Sequence, residues 1–322
     1  MKTIELPKFG DASVMTQGTR QKPEPESSEV LIMIAAAGVN GPDIIQRQGN
    51  YPPPKGASDL MGLEVSGEII EIGSDVTQWK IGDKVCALTN GGGYAEYVAV
   101  EASHCLSIPK GVSIQDAAGL PETFFTVWSN VFFNHNIPKG ALLLVHGGAG
   151  GIGSTAIQLG KAMGLRVFAT SGKPEGCQFC LEMGAERAIN YKEEDFVEVV
   201  KEAGGADIIL DIIGGDYIGR NLKAAKMDGR IVQLAFRTGS RVEVNLMPIM
   251  LKRLILTGST LRPRPKEFKT AVANDLQQKI WPLLASGKIK TTTHAIFAFE
   301  EVHSAHKMME AAKHRGKILI TP

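Results

Sequence analysis

Leu142-Leu143-Leu144-Val145-His146-Gly147-Gly148-Ala149-Gly150-Gly151-Ile152-Gly153, continued by Ser154-Thr155-Ala156-Ile157-Gln158-Leu159, is the stretch whose reading decides the fold. An uncharged apolar run breaks into closely spaced glycines. It then resumes with helical periodicity, placing Ile152, Ala156, Leu159 and Met163 on one face. Gly148-x-Gly150-x-x-Gly153 has the spacing of a dinucleotide fingerprint, and a strand before it with a helix after it is the context that motif requires. Two glycines let the backbone turn sharply and approach a pyrophosphate, and Gly153 lets the helix pack tightly on the strand. The free N–H groups at the helix start then face the anion, with the positive end of the helix dipole behind them. A flexible loop between two core elements is the plainer alternative, and the flanking pattern argues against it.

Around this stretch, 322 residues are enough for two domains, each with its own core. The chain is 43% hydrophobic and 21% charged, as in an ordinary globular protein, and its net charge of +1 creates no field favouring nucleic acid or an acidic membrane. No apolar run approaches the roughly 18 residues that span a bilayer, and the N-terminal stretch reads as no secretory signal. Cys86, Cys105, Cys177 and Cys180 are too few for a disulfide framework, which makes the cytoplasm the expected compartment.

Residues 1–122 read as β-rich. Strands are expected at residues 30–37, 63–73 and 94–100, with a turn leading into another over 79–88, punctuated by glycine in the manner of a partly closed β domain. Over residues 123–265 the rhythm changes to alternating strand and helix, the pattern of a parallel sheet. Strands are expected at 142–145, 165–170, 188–191, 206–213, 230–236 and 254–261, and a helix through Phe179 and Met183 should end at Gly184. Arg262-Pro263-Arg264-Pro265-Lys266 reads as a solvated linker. Residues 266–322 are few for an independent core, so they are expected to return to the first domain and leave the nucleotide-binding unit inserted within it. The fold class is α/β.

The end of the second parallel strand bears on coenzyme choice. An NAD site tends to carry Asp or Glu there, about 20 residues past the fingerprint, to bind the ribose 2′-hydroxyl. This chain has Thr170-Ser171-Gly172-Lys173, a set better suited to a 2′-phosphate, although Lys173 as a plain solvated lysine leaves NADH open as the alternative donor. His146 reads as structural. His303 and His306 share a helix face without any acidic or thiol partner, and Cys177-x-x-Cys180 reads as a packed pair of thiols.

Several further segments carry a family likeness: Ala36-Ala37-Gly38-Val39-Asn40 with Asp43, Gln46-Arg47-Gln48-Gly49-Asn50-Tyr51-Pro52-Pro53-Pro54, and Gly62-Leu63-Glu64. To these are added Gly91-Gly92-Gly93-Tyr94-Ala95-Glu96-Tyr97, Leu120-Pro121-Glu122-Thr123-Phe124-Phe125-Thr126-Val127-Trp128, Leu256-Thr257-Gly258-Ser259-Thr260-Leu261-Arg262 and Gly316-Lys317-Ile318. With the fingerprint, they make the chain resemble, nearly end to end, a zinc-free quinone oxidoreductase of the medium-chain dehydrogenase/reductase superfamily. The likeness is to the zeta-crystallin-like branch and, within it, the tumour-suppressor-inducible subgroup.

The resemblance implies a GroES-like catalytic domain plus a Rossmann doubly wound domain, NADPH in the cleft between them, and a homodimer joined through residues 254–261. It implies that Asn40, Thr126, Gly148, Ala149, Gly150, Gly151, Ile152, Gly153, Ser171, Gly172, Lys173, Tyr191, Phe236 and Lys317 line the cofactor. Tyr51 and Asn40 would face the nicotinamide and the substrate, a quinone or another small electrophile. Tyr51 would stack on the ring or donate a hydrogen bond to the oxygen where charge develops; on the residues alone, a loop aromatic packed on the proline run is the rival account. Zinc-dependent relatives carry a Cys near position 40 and Gly-His-Glu near position 63. Asn40 and Gly62-Leu63-Glu64 lack those ligands, so no metal is expected. Two departures stand out: Gly150 replaces a frequent serine, and Gly176 occupies the place of the usual phosphate-binding lysine. Reduction of activated C=C bonds on the same scaffold is the enzymatic alternative. A non-catalytic NADPH- or RNA-binding role is the alternative of another class, and the absence of interleaved basic and aromatic residues argues against RNA.

Overall fold

In the computed structural model, which describes residues 1–322, six parallel strands form one sheet in the spatial order Arg187–Asn190, Arg166–Ser171, Leu142–Val145, Ala206–Asp211, Ala225–Gln233, Ile255–Gly258. The first of these along the chain lies beside the fourth, so the winding reverses between Leu142–Val145 and Ala206–Asp211. In open parallel sheets, ligands bind beyond the carboxyl ends of strands at such a reversal. Leu142–Val145 is buried along its whole length, which is why an unbroken apolar run rather than an alternating one encodes it. Helix Gly151–Ala162 buries Ala156, Ile157 and Leu159. Helix Pro174–Met183 ends at Gly184, whose left-handed φ of 109° lets its N–H reach back to the Cys180 carbonyl. Leu144, Ile209 and Ile231 from the sheet pack with Phe196, Val200 and Leu222 from its helices.

Two expected strands end early for visible reasons. The strand at 206–213 stops at Asp211, whose Oδ1 accepts the N–H groups of Ile213 and Gly214 in a side-chain-capped turn. The strand at 230–236 begins at Ala225 and stops at Gln233, whose amide turns back onto the Asp211 and Ala235 carbonyls. At the sheet edge only Ile255–Gly258 is paired, and all of it is exposed.

The chain divides into two units, the second being Thr126–Leu261 around this sheet and the first Met1–Phe125 with Arg262–Pro322. The latter is built on a seven-stranded sheet whose organising member is the long strand Glu29–Val39. Glu64–Ile72 pairs along one of its edges; Tyr97–Glu101 and Lys317–Thr321 share the other. The pairing of Ile318 with Val39 sets Lys317 beside Asn40. The periodicity did not foresee helix Gly41–Arg47, which carries Pro42 in its first turn and starts with the Asn40 N–H donated to Asp43 Oδ2 at 2.8 Å. No helix is long and apolar enough to cross a membrane.

Candidate functional site

In the second unit, the glycine stretch forms a cradle with no room for side chains at two positions. A Cβ on Gly153 would lie 2.3 Å from the Gly147 carbonyl oxygen and 2.6 Å from Gly148 Cα; one on Gly148 would lie 2.7 Å from Cys180 Sγ. Gly150 differs, since a Cβ there would meet only the Gly147 oxygen at an ordinary 3.6 Å. Helix Gly151–Ala162 opens with no side-chain cap and no acidic residue in its first turn, so its leading N–H groups are left for an anion. A dinucleotide's pyrophosphate fits this cradle.

Below the cradle runs a chain of buried polar groups. His146 is fully buried; its Nε2 lies 2.8 Å from Asn221 Oδ1 and its Nδ1 3.1 Å from Thr170 Oγ1. Asn221 Nδ2 donates to Asp211 Oδ2 at 2.8 Å, and Thr170 Oγ1 accepts the Gly147 N–H at 3.4 Å. Burial pulls the His146 pKa down to about 4, against the opposing pull of Asp211 and the Asn221 bond.

At the end of the second strand, Ser171 is buried while Lys173 stands exposed before helix Pro174–Met183. A Cβ on Gly176 would come within 2.2 Å of Ser171 Oγ, so the serine fills from below the space over which a lysine would have to start. Tyr191 gives its N–H to the Ser171 carbonyl at 3.1 Å, and its hydroxyl would lie 2.3 Å from a Cβ on Gly172. Phe236 is half exposed beside Gly214. The Thr126 carbonyl accepts Asn130 Nδ2 at 2.9 Å, at the entry to a one-turn π-helix, Trp128–Phe132, of the kind found often at functional sites.

In the first unit, a polar group gathers around Asn40. Lys317 Nζ donates to Glu64 Oε1 and to Asn40 Oδ1, both at 2.6 Å, and Asn40 Nδ2 donates to the same Glu64 oxygen at 2.8 Å. Lysine only donates and carboxylate only accepts, so the Asn40 amide has one orientation and is engaged at both ends. Glu64 Oε2 takes the Glu122 N–H at 2.8 Å. Asp43 accepts the N–H groups of Asn40 and Gly62, yet burial pushes its pKa up to about 6. Burial and then the nearby Glu64 charge push Glu122 up to about 8, Lys317 opposing, so this carboxyl holds its proton at neutral pH. Burial, reinforced by Glu122, pushes the half-buried Tyr51 phenol up to about 12.

The 262–266 linker is not solvated where it begins. Arg262 is only 5% exposed: its guanidinium donates to Gln46 Oε1 at 2.8 Å and the Asn90 carbonyl at 2.7 Å, and lies 5.5 Å from the centre of the Tyr51 ring. The expectation failed because an arginine in a proline-flanked run reads as surface when its partners lie more than 170 residues away in sequence. Lys269, held by Asn90 Oδ1 and the Arg262 carbonyl, is likewise buried, and burial lowers its pKa to about 8.

The structure thus brings Asn40 and Lys317 together, with Tyr51 in the same unit, and sets residues 148–153, Ser171, Gly172, Lys173, Tyr191 and Phe236 at the carboxyl edge of the parallel sheet. Glu64, Glu122, Arg262 and Lys269 were not singled out from sequence. The usable signal was an isolated charge inside an apolar run, as in Leu120-Pro121-Glu122-Thr123-Phe124-Phe125. His303 and His306 are spoken for, by the Met15 carbonyl at 2.8 Å and the Tyr94 hydroxyl at 3.0 Å. Cys177 and Cys180 are free thiols, the latter buried. No group of three or more His, Cys, Asp or Glu side chains is placed to hold a metal ion. Asn40 and Leu63 offer neither thiolate nor imidazole, the donors that zinc takes.

Residues 26–110 match the alcohol dehydrogenase GroES-like domain family and residues 151–277 the zinc-binding dehydrogenase family. The quinone oxidoreductase of Rattus norvegicus is 29% identical over 326 residues, covering 99% of this chain and 97% of the relative. Among solved structures, the Escherichia coli quinone oxidoreductase complexed with NADPH aligns over 100% of both chains with 29% identity and a TM-score of 0.87. The CurK enoyl reductase aligns over 99% of this chain and 98% of its own, with 26% identity and a TM-score of 0.87.

Proposed function

The chain belongs to the medium-chain dehydrogenase/reductase superfamily, and on that premise we propose that it is an NADPH:quinone oxidoreductase that works without zinc. Bound NADPH supplies a hydride, which with one proton converts a quinone to its hydroquinone and leaves NADP⁺. A quinone accepts hydride readily because its reduced form is aromatic, so the protein's task is mainly to hold, orient and exclude water. Residues 148–153 form the bed of the pyrophosphate, and the leading N–H groups of helix Gly151–Ala162 hold it. Lys173, with Ser171, Gly172 and Tyr191, takes the 2′-phosphate, and Thr126 and Phe236 complete the cofactor's bed. Tyr51, protonated at neutral pH and steadied by Arg262, donates its hydroxyl to the acceptor oxygen that gains charge. Asn40 and Lys317, locked to Glu64, form the rigid base of that polar group.

The observation that carries this reading is the glycine cradle at the sheet's reversal point, closed to side chains at Gly148 and Gly153, in a chain alignable end to end with a quinone oxidoreductase complexed with NADPH. The likeness to an enoyl reductase supports reduction of activated C=C bonds as the second reading. For assembly, the exposed edge Ile255–Gly258 lies close in sequence to exposed Leu246, Met247, Met250 and Leu251. An unpaired strand edge with apolar side chains favours pairing with a second copy, which supports a homodimer, while four free cysteines support the reducing cytoplasm as its compartment.

The test is NADPH oxidation against a panel of quinones beside 2-alkenals, for the wild type, Tyr51→Phe and Tyr51→Ala. Quinones should be turned over fastest, and both substitutions should lower kcat. Preference for 2-alkenals by tenfold or more would hand the assignment to the second reading. Tight NADPH binding with no oxidation by any acceptor would remove the enzymatic reading altogether.

A further inference from the structure

We infer that His146 is a positioning residue for the cofactor: through Thr170 it fixes the amide of Gly147 and with it the glycine cradle. The inference rests on the reading that this cradle binds the dinucleotide, and goes beyond it by naming what sets the cradle's position.

The hydrogen-bond directions run one way. The Asp211 carboxylate accepts from the N–H groups of Ile213 and Gly214 with one oxygen, and with the other from the Asn221 amide nitrogen. That points Asn221 Oδ1 at His146 Nε2, which must therefore carry the ring proton. Nδ1 is left bare and takes the Thr170 hydroxyl proton, which turns a lone pair of Thr170 Oγ1 to the Gly147 N–H. Asp211, Asn221 and His146 are fully buried and Thr170 is 1% exposed, so water does not compete at the links among these four, and the chain ends at the half-buried Gly147 N–H.

The chain crosses the sheet at its reversal point. His146 follows strand Leu142–Val145, Thr170 lies in Arg166–Ser171, Asp211 ends Ala206–Asp211, and Asn221 sits on helix Tyr217–Ala224. The His146 N–H also bonds the Leu210 carbonyl at 3.0 Å, and the Gly148 N–H the Thr170 carbonyl at 2.9 Å. The rings of Phe196 and Tyr217 stand edge-on to the imidazole with centroids at 4.7 and 4.8 Å, closing its remaining faces. Besides Asp211, the charged group nearby is Arg220, which lies over the Phe196 and Tyr217 rings, and the imidazole stays neutral. A single proton arrangement therefore ties three strand ends and one helix to the first amide of the cradle.

The experiment uses Thr170→Val, which keeps shape and strand propensity but deletes the hydroxyl, and Thr170→Ser, which restores it. Val200→Ala, in the same core but with a side chain that makes none of these hydrogen bonds, serves as a stability control. The readouts are NADPH Kd by fluorescence titration, KM and kcat, Tm without cofactor, and amide exchange of the peptide spanning residues 146–151. Thr170→Val should raise Kd and KM for NADPH by about tenfold, with a smaller change in kcat, and speed exchange of that peptide by at least about tenfold. Thr170→Ser should restore both within about twofold, while Val200→Ala should lower Tm without moving Kd. The inference is overturned if Thr170→Val leaves Kd and exchange within twofold of wild type, if Thr170→Ser fails to rescue, or if Val200→Ala weakens binding equally. A wild type that binds no dinucleotide brings down the reading of the cradle and the inference with it. Exchange that quickens in Thr170→Val beside an unchanged Kd brings down the inference alone.

Discussion

Lys317 Nζ lies 2.6 Å from Glu64 Oε1 with side-chain exposures of 6% and 0%, so two opposite charges are held together almost without water. Removing one partner strands the other. Lys317→Met is expected to lower stability by about 3–5 kcal/mol, while Lys317→Met with Glu64→Gln should lie closer to the wild type than either single change. Urea denaturation of the four proteins in a double-mutant cycle checks this. A Lys317→Met variant as stable as wild type would show the pair to be dispensable.

Glu122 should make stability fall as pH rises. Its pKa climbs from an ordinary carboxylate value to about 8 in the fold, because burial and Glu64 disfavour the charge. Above the unfolded pKa, the unfolded state has released a proton that the folded state still holds. Stability attributable to this group is therefore lost progressively from about pH 4.5 to about pH 8. Glu122→Gln removes that slope: the variant should lie nearest to wild type below about pH 4.5 and gain on it steadily as the pH rises to about 8. Thermal melts across this range decide the matter, and parallel curves would refute the assignment.

The middle and last glycines of the fingerprint should answer differently to substitution. Gly153→Ala drives a methyl against backbone atoms of Gly147 and Gly148 that cannot swing aside, and is expected to cost about 1–3 kcal/mol and most NADPH affinity. Gly150→Ser enters open space and should keep both Tm and Kd near wild type. Equal losses in the two variants would contradict the geometry.

Coenzyme choice should track Lys173. Lys173→Ala is expected to lower kcat/KM with NADPH by roughly tenfold, the worth of a charge-assisted contact to phosphate, and to leave NADH nearly unchanged. Steady-state kinetics with both coenzymes is the check; a parallel fall with NADH would mean that Lys173 is not reading the 2′-phosphate.

Association should depend on the sheet edge. Leu256→Asp places a charge on an exposed apolar strand and is expected to shift the protein to monomer in sedimentation or light scattering, with its Tm changed little. A wild type that sediments as a monomer would rule out the edge-to-edge dimer.

The parallel sheet was legible because short apolar runs such as Leu142–Val145 mark its strands, and the cradle because glycine spacing encodes close approach directly. Trimming at Asp211 and Gln233 was not, since both ends are set by side chains folding back on their own turns. The polar group of the first unit was half legible. Asn40, Tyr51 and Lys317 came from family likeness, whereas Glu64, Glu122, Arg262 and Lys269 acquire their character only from burial. Arg262 shows why: in sequence it is one of several basic residues among prolines, and only its distant partners make it part of the core.

The pairing of Ile318 with Val39 has a consequence for synthesis. Asn40 leaves the ribosome 277 residues before the lysine that anchors it, an interval of roughly 15–55 s at ordinary elongation rates. Throughout that interval the intervening parallel sheet is free to fold, while one stretch of the Glu29–Val39 edge waits unpaired and Glu64 waits without its counterion. The nascent chain therefore has a built-in period of vulnerability, in which that bare edge is the surface a chaperone would need to shield.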